Sequence, residues 1–537
     1  MGSPVVRAEV LDFRMTNLKN SDTFMTLTKR KLFEITGLLI LLSLANCSNE
    51  RKAEAGRPNL VFVFADQLRY DWLGFAGDMK AVTPNLDKLA DEGVNFSNAV
   101  VVTPVCAAMR ASLLTGKYTS STGMVVNELR INPHQRSIAH VLGDHGYQTG
   151  YIGKWHLWAN QAGGHDKVEN AYIPPGPYRM GFEDEWKAYN FHHDNYNSYY
   201  FEDKPEKIPY GDSTAYEPEV QFDFAMDFIE EASRKEEPFA LFLSVGVPHP
   251  PWGKDNVPEK YYDLFKNTKF DHPPTWSDSP DPYMDRFKDP ERWLNHYKPN
   301  IPDWKRVYYA MVTSLDTYMG RLDAKLAELG IEDNTILVFT SDHGEMMGER
   351  GRIQKMIFYE PAARVPFLIR WPGEVPADMQ SDACLNTPDI MPTLLSLMDL
   401  PVPAAVEGMD LSHLATGKTG PEPEMAFMQG MGHTYLWVNG AEWRAVRNKR
   451  YTYATYLVDG KEFLFDHQKD PYQVNDLAHN PLYADIKYTL KNNMKQKMQA
   501  LNDDFQPVTW YRDHWTDGQR NIISSAKGPF GKDNSQK

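Results

Sequence analysis

Six short polar clusters punctuate an otherwise apolar pattern. They are Asp66-Gln67, Cys106 with Arg110, Lys154 and His156 in "GKWH", His249 in "PHPP", Asp342-His343 in "SDHGE", and Lys355. Carboxylates, imidazoles, a thiol and cationic side chains are the residue types of acid–base, nucleophilic and anion-holding chemistry. Each cluster alone is ordinary. A carboxylate after a strand is often a turn former, and a lone His or Lys is more often solvated or packed than catalytic. Their shared position is what counts: they fall at strand ends, and ligands of open α/β sheets bind outside the carboxyl ends of the strands.

Cys106 stands out among them. The chain has three cysteines, Cys47, Cys106 and Cys384, and no C-x-x-C pair, which argues against a zinc or redox motif. A chain this long buries its own core and needs no disulfide framework. Cys106 opens a helical stretch, "CAAMRASLLTG". At that position backbone N–H groups and the helix dipole favour an anion. Arg110 lies one turn along on the same face.

The elements that must position these residues follow from periodicity. "NLVFVFADQ" (59–67) reads as a buried strand ending in polar residues. "TPNLDKLADEG" (83–93) reads as a helix with Thr83 as N-cap, Pro84 at its first position and Gly93 as stop. "RSIAHVLGDHGY" reads as a helix and "QTGYIGKWH" as a strand running into a loop. An amphipathic helix at "PEVQFDFAMDFIEEASRK" precedes the strand "PFALFLSVGVPHPP". The long helix "VYYAMVTSLDTYMGRLDAKLAELG" precedes "NTILVFTSDHGE", and "VPFLIRWPG" precedes a helix at "TPDIMPTLLSLMDL". This alternation over 59–400 predicts an α/β fold with a largely parallel sheet between helices. After Pro401 the pattern changes to antiparallel strands with a "VDG" turn. The predicted domains are a catalytic domain over 58–400, a smaller α+β domain over 401–520 and a flexible tail over 521–537.

The N-terminus has its own logic. Lys29, Arg30 and Lys31 precede an apolar run to Leu44 and then Cys47, the three-part plan of an export signal. The run is short for a transmembrane span. Cys47 directly after it resembles a bacterial lipobox, although Asn46 replaces the usual small residue there. Residues 1–46 are therefore expected to be a signal of lipoprotein type, with an ordinary signal peptide cut nearby as the alternative and translation starting at Met25, and 47–57 a linker. The expected location is the outer membrane, facing periplasm or cell surface, held by the lipid anchor alone. Without residues 1–46, which hold six basic and four acidic residues, the balance is 51 Lys+Arg against 68 Asp+Glu. That excludes a general nucleic-acid binder and leaves any anionic substrate to be held by local cations.

Taken together, the motifs resemble the type I sulfatases of the alkaline phosphatase superfamily. The signature Cys-x-Ala-x-Arg occurs as Cys106-Ala107-Ala108-Met109-Arg110, followed by "SLLTG". "ADQ", "GKWH", "PHPP", "SDHG", "KMIFYEPAARVP" and "FLFDHQKDPYQVNDLA" match in family order, over roughly residues 58–480. The resemblance implies an alkaline-phosphatase-like sheet sandwiched by helices, with a smaller C-terminal α+β domain holding an antiparallel sheet. It implies that a maturation enzyme converts Cys106 to formylglycine, whose hydrate carries one hydroxyl to attack sulfur and a second to release sulfate. It implies one divalent cation on Asp66, Gln67, Asp342, His343 and residue 106, with Ca2+ favoured and Mg2+ or Mn2+ open. Gln67 in place of an acid and His343 in place of Asn depart from the commonest ligand set. By the same resemblance His249 protonates the leaving oxygen, Lys154 and Lys355 hold sulfate oxygens, His156 takes the proton when the sulfated residue breaks down, and Arg110 steadies residue 106. Ala108 stands where Pro is commoner, and Ser120 where many relatives have His.

The substrate pocket is read from aromatic and polar interleaving in "NFHHDNYNSYYF" (190–201), with His192, His193, Trp252, Arg352 and His433 as candidate contacts to a sulfated carbohydrate. Two rival readings stay open: a phosphonate or phosphate ester hydrolase with the same nucleophile, and a catalytically silent surface glycan-binding lipoprotein.

Overall fold

A computed structural model describes residues 56–159, 163–284, 289–518 and 520–530. The export signal and Cys47 lie outside the described residues. Among the described residues no helix is long and apolar enough to cross a membrane.

The central sheet has eight strands. In chain order they are β1 (Asn59–Asp66), β2 (Val94–Phe96), β3 (Gln148–Lys154), β4 (Glu185–Tyr189), β7 (Phe239–Pro248), β8 (Thr335–Ser341), β9 (Phe367–Arg370) and β10 (Met379–Ser381). The short pair β5 (Tyr199–Tyr200) and β6 (Ile208–Pro209) forms a separate ribbon. The spatial order is β10-β2-β9-β8-β1-β7-β3-β4. β1 runs parallel to β7 and β8, and β3 parallel to β7 and β4, while β9 is antiparallel to both β8 and β2. Every residue of β1 is buried, as both-face coverage requires.

The period-two alternation of β1 sorts the core into two layers. Leu60, Phe62 and Phe64 face the layer containing Met109, Leu113, Leu394 and Leu395, from the helices Cys106–Thr115 and Thr387–Leu397. Val61, Val63 and Ala65 face the layer of Phe222, Ile229, Met311, Leu315 and Leu322, from Glu217–Ala232 and the long helix Lys298–Glu328. The parallel register then puts the carboxyl ends of β1, β3, β7 and β8 side by side. Asp66 and Lys154 end their strands, His249 follows β7 and Asp342 follows β8.

Two local expectations need correction. Thr83 precedes the helix Pro84–Asp91, but its hydroxyl does not cap it. The free N–H groups of Asn85 and Leu86 are taken instead by the Asp316 carboxylate of the long helix, at 2.9 and 2.8 Å. Capping is supplied across the fold, and local sequence gives no sign of it. Residues 521–530, read as part of a flexible tail, are packed. Ile522 is buried, its carbonyl accepts from Asn132 Nδ2 at 3.1 Å, and β15 (Ser524–Ser525) pairs with β16 (Gly528–Pro529).

The C-terminal region forms the antiparallel sheet β11 (Ala426–Gly430), β12 (Trp443–Arg447), β13 (Tyr451–Tyr456) and β14 (Glu462–Asp466). It shares a core with the strand-end loops: Ala426, Trp443 and Phe465 pack with Ile357, Phe358, Ala363 and Cys384. Arg444 and Asp503 form a buried two-point ion pair, both contacts at 2.6 Å. Burial pushes the Cys384 thiol up to about 11, so it is a packing residue.

Candidate active site

Cys106 is the first residue of its helix and is buried at the sheet edge. The helix has no N-cap side chain of its own, and Asn127 Oδ1 accepts the Ala107 N–H at 3.0 Å. It ends at Gly116 in the left-handed region (φ 64°), where an added Cβ would meet Val406 at 2.9 Å. Around the nucleophile position, Cys106 Sγ lies 3.1 Å from His343 Nε2 and 3.9 Å from Lys154 Nζ. Burial opposes the thiolate, but Lys154 and Lys355 outweigh it and bring the thiol down to about 7.

The carboxylates sit beneath it. Lys154 donates to Asp66 Oδ2, while Asp66 Oδ1 is buried with no hydrogen bond. Asp66 is fully buried, yet Lys154, His249, Lys355 and Arg110 hold its carboxyl well below the usual range. Ligand atoms of Asp66, Cys106, Asp342 and His343 all lie within 4.8 Å of one another. His343 Nδ1 is 3.0 Å from the Gly344 carbonyl, which assigns its proton there and leaves Nε2 as a bare donor atom. An orphaned carboxylate oxygen, a second carboxylate and a bare imidazole nitrogen fit a divalent cation.

Arg110 was expected to steady residue 106. Its hydrogen bonds go to the frame instead: Asp342 Oδ2 at 2.9 and 3.2 Å, the Lys154 carbonyl at 2.6 Å and Ser244 Oγ at 2.6 Å. Gln67 turns the chain after β1 in the left-handed region (φ 73°). Its Oε1 accepts from Lys355 Nζ at 2.6 Å and its Nε2 donates to Glu345. Glu345 is a functional neighbour that the sequence reading missed, although it ends the quoted "SDHGE". It is fully buried, and burial pushes its carboxyl upward. The missed signal is an acid within an otherwise polar strand-end loop.

Two histidines line the mouth. His156 is buried with Nδ1 unpartnered, and burial, Lys154 and Arg110 hold its imidazole neutral. His249 Nδ1 is 2.7 Å from the Pro250 carbonyl, so Nε2 is the nitrogen left to face a ligand. Burial, His193, Lys355 and Lys154 lower its pKa well below the usual histidine value, against the pull of Asp66.

The candidate substrate residues divide. His193 stacks on His249, ring centres 4.1 Å apart. His433 is buried in a loop whose next residue, Thr434, accepts the Asn127 N–H at 2.6 Å. Trp252 is a core residue: its indole donates to the Pro248 carbonyl at 2.9 Å and it packs on Trp304 and Tyr308. Arg352 is buried in an ion pair with Asp281 at 3.0 Å. His192 is pinned by the Tyr199 carbonyl at 3.0 Å and stacks on Tyr189 at 3.6 Å, and burial takes it down to about 3. Behind it, Glu217 accepts from Tyr189 at 2.7 Å and Gln221 at 3.0 Å, and burial raises it to about 8. Ser120 is bonded to Gln429, with Oγ accepting from Nε2 at 3.0 Å.

A family model described as Sulfatase matches residues 58–400, and one described as N-sulphoglucosamine sulphohydrolase, C-terminal, matches 348–500. The chain is 36% identical to an ulvan-active sulfatase of Formosa agariphila, covering 88% of each. It is similar to the solved structure of yidJ from Bacteroides fragilis, a candidate sulfatase, with 31% identity and TM-score 0.71, covering 85% of this chain and 97% of that one. It is also similar to a phosphonate monoester hydrolase from Silicibacter pomeroyi, with 25% identity and TM-score 0.65, covering 84% and 96%.

Proposed function

The chain belongs to the sulfatase family and is a sulfuric ester hydrolase, and on that premise we propose that it removes sulfate from a sulfated polysaccharide or its oligosaccharides. The observation that carries the reading is the convergence of Lys154, Lys355 and His343 on residue 106 above the Asp66–Asp342 pair, with His249 close enough to help lower the Asp66 carboxyl. Its resemblance to an ulvan-active sulfatase over most of both chains supports a polysaccharide source.

The chain's own residues do the following. Asp66, Asp342, His343, residue 106 and the amide oxygen of Gln67, which also accepts from Lys355, would hold a cation, Ca2+ by the oxygen-rich donor set. When bound, that cation neutralises charge on the sulfate and acidifies the nucleophile, while formylglycine at position 106 supplies two hydroxyls on one carbon. Arg110 fixes Asp342, and with it the cation's cradle. Lys154 and Lys355 present ammonium groups where sulfate oxygens carry charge in the transition state. His156, neutral by burial and by its cationic neighbours, accepts the proton from residue 106 as sulfate is expelled. His249 donates from Nε2 to the leaving alcohol. Its basicity is depressed in the free enzyme, and the negative charge of the ester acts in the opposite direction.

The test uses protein produced with a formylglycine-generating enzyme. The residue-106 peptide is weighed, and desalted sulfated oligosaccharides are screened for free sulfate. We expect the aldehyde mass and sulfate release from at least one glycan. Turnover of aryl sulfate alone would sink the polysaccharide reading. A phosphonate ester is run beside it, because the Silicibacter neighbour makes that the second reading; a faster rate there would replace the first.

A further inference from the structure

We propose that His193 reads the hydroxyl on the sugar carbon next to the sulfated one. The inference rests on the polysaccharide reading and adds the sugar position that the site recognises.

His249 Nδ1 is engaged by the Pro250 carbonyl, so its outward nitrogen marks where the leaving oxygen must lie. The His193 ring lies parallel to it within 20°, at 4.1 Å between centres. Oxygens on adjacent sugar carbons are separated by less than one such stacking distance. Two imidazoles layered in this way therefore address two neighbouring oxygens of one ring.

The pair is held in register by a built clasp. Asn256 Oδ1 accepts the Asn195 N–H at 2.7 Å, and Asn195 Nδ2 donates to the Asn256 carbonyl at 3.0 Å. Asn256 Nδ2 reaches the carbonyls of Pro251 at 3.0 Å and His193 at 3.5 Å. These bonds tie the histidine loop to the loop after His249. From the other side, the His165 ring meets His193 edge-on at 6.1 Å, and Glu128 holds His165 Nε2 at 3.3 Å. Among the described residues, no hydrogen bond engages either ring nitrogen of His193, and the side chain is partly exposed.

The ring's charge state selects the ligand. Burial and Lys154 keep this imidazole neutral. A neutral imidazole offers one donor and one acceptor. A hydroxyl matches both, whereas a second sulfate or a carboxylate offers acceptors only.

The test compares kcat/KM on methyl pyranoside monosulfates and on their counterparts lacking the neighbouring hydroxyl. For the wild type we expect deoxygenation to cost about 10- to 100-fold, because a site built to hydrogen-bond a hydroxyl is left unpaired without it. His193→Phe keeps the stacking surface against His249 and removes both nitrogens. It should fall by a similar factor on the parent sugar and discriminate between the two substrates by about threefold or less. His193→Gln, which restores a donor and an acceptor, should recover part of the discrimination. A wild type indifferent to deoxygenation overturns the inference, as does a His193→Phe protein that discriminates as the wild type does. Failure of the wild type on every pyranoside sulfate, with aryl sulfate still hydrolysed, would instead overturn the polysaccharide reading, and this inference with it.

Discussion

Replacing His249 by Ala separates leaving-group chemistry from sulfate binding. The imidazole is nearly buried, and the Pro250 carbonyl at 2.7 Å fixes its tautomer. It is therefore pre-oriented to deliver a proton from Nε2. A sugar alkoxide is a poor leaving group and needs that proton as the S–O bond breaks. A nitrophenoxide hardly does. General acid catalysis contributes roughly 100- to 10,000-fold, so His249→Ala should lose that factor on a sugar sulfate and much less on 4-nitrophenyl sulfate. The pH profile adds a second readout. With the free-enzyme pKa held well below the usual histidine value, the proton-carrying form is lost as pH rises through that low value. The wild-type kcat/KM on sugar sulfate should then favour acid pH, with this alkaline limb absent in His249→Ala. Steady-state rates on both substrates from pH 4 to 9 decide it. Equal losses on the two substrates would refute the acid role and make His249 a sulfate contact.

Glu217→Gln should abolish a pH dependence of stability. Burial raises the Glu217 carboxyl to about 8, so the folded state holds a proton that the unfolded chain releases at lower pH. This contribution is complete below the unfolded value and is lost as pH rises towards 8. The wild type should therefore lose stability between about pH 4.5 and 8, on the order of 3–5 kcal/mol from this group, and thermal melts of Glu217→Gln should lack that slope. A wild-type slope retained in the variant would refute the assignment. At the other end of the chain, Cys47→Ala should move activity from the membrane fraction to the soluble fraction of an exporting bacterial host. Wild-type protein already soluble there would rule out the lipid anchor.

What could be read in the sequence follows from what local pattern encodes. β1 and β8 are legible because strands buried on both faces must be continuously apolar. Their first polar residues, Asp66 and Asp342, then mark the sheet edge, and parallel pairing brings them together without further instruction. Trp252 and Arg352 were misread for the converse reason. Composition shows that a loop holds aromatic or charged residues, not whether they turn towards the cleft or inward to Trp304 and Asp281. The Asp316 cap and the packed 521–530 segment depend on partners more than two hundred residues away, which no window along the chain samples.

Gln67 shows where sequence comparison and physics meet. An acid is commoner at this position in the resembling family, and the motif alone makes Gln a weakened ligand. In the fold the amide lies between a cation and an anion, accepting from Lys355 through Oε1 and donating to Glu345 through Nε2. A carboxylate there could accept from Lys355 but could not donate to Glu345, whose Oε1 already accepts from the Met347 and Gln354 amides, and it would set a second acid against a carboxyl that burial already pushes upward. Buried like charges at hydrogen-bond distance do not both stay ionised. The neutral side chain is therefore the one that holds Lys355 through Oε1 while leaving Glu345 to brace the 345–354 loop. The other candidate ligand atoms, one each from Asp66, Asp342, His343 and residue 106, stay within 4.8 Å of one another, and His343 Nε2 adds a nitrogen 3.1 Å from Cys106 Sγ.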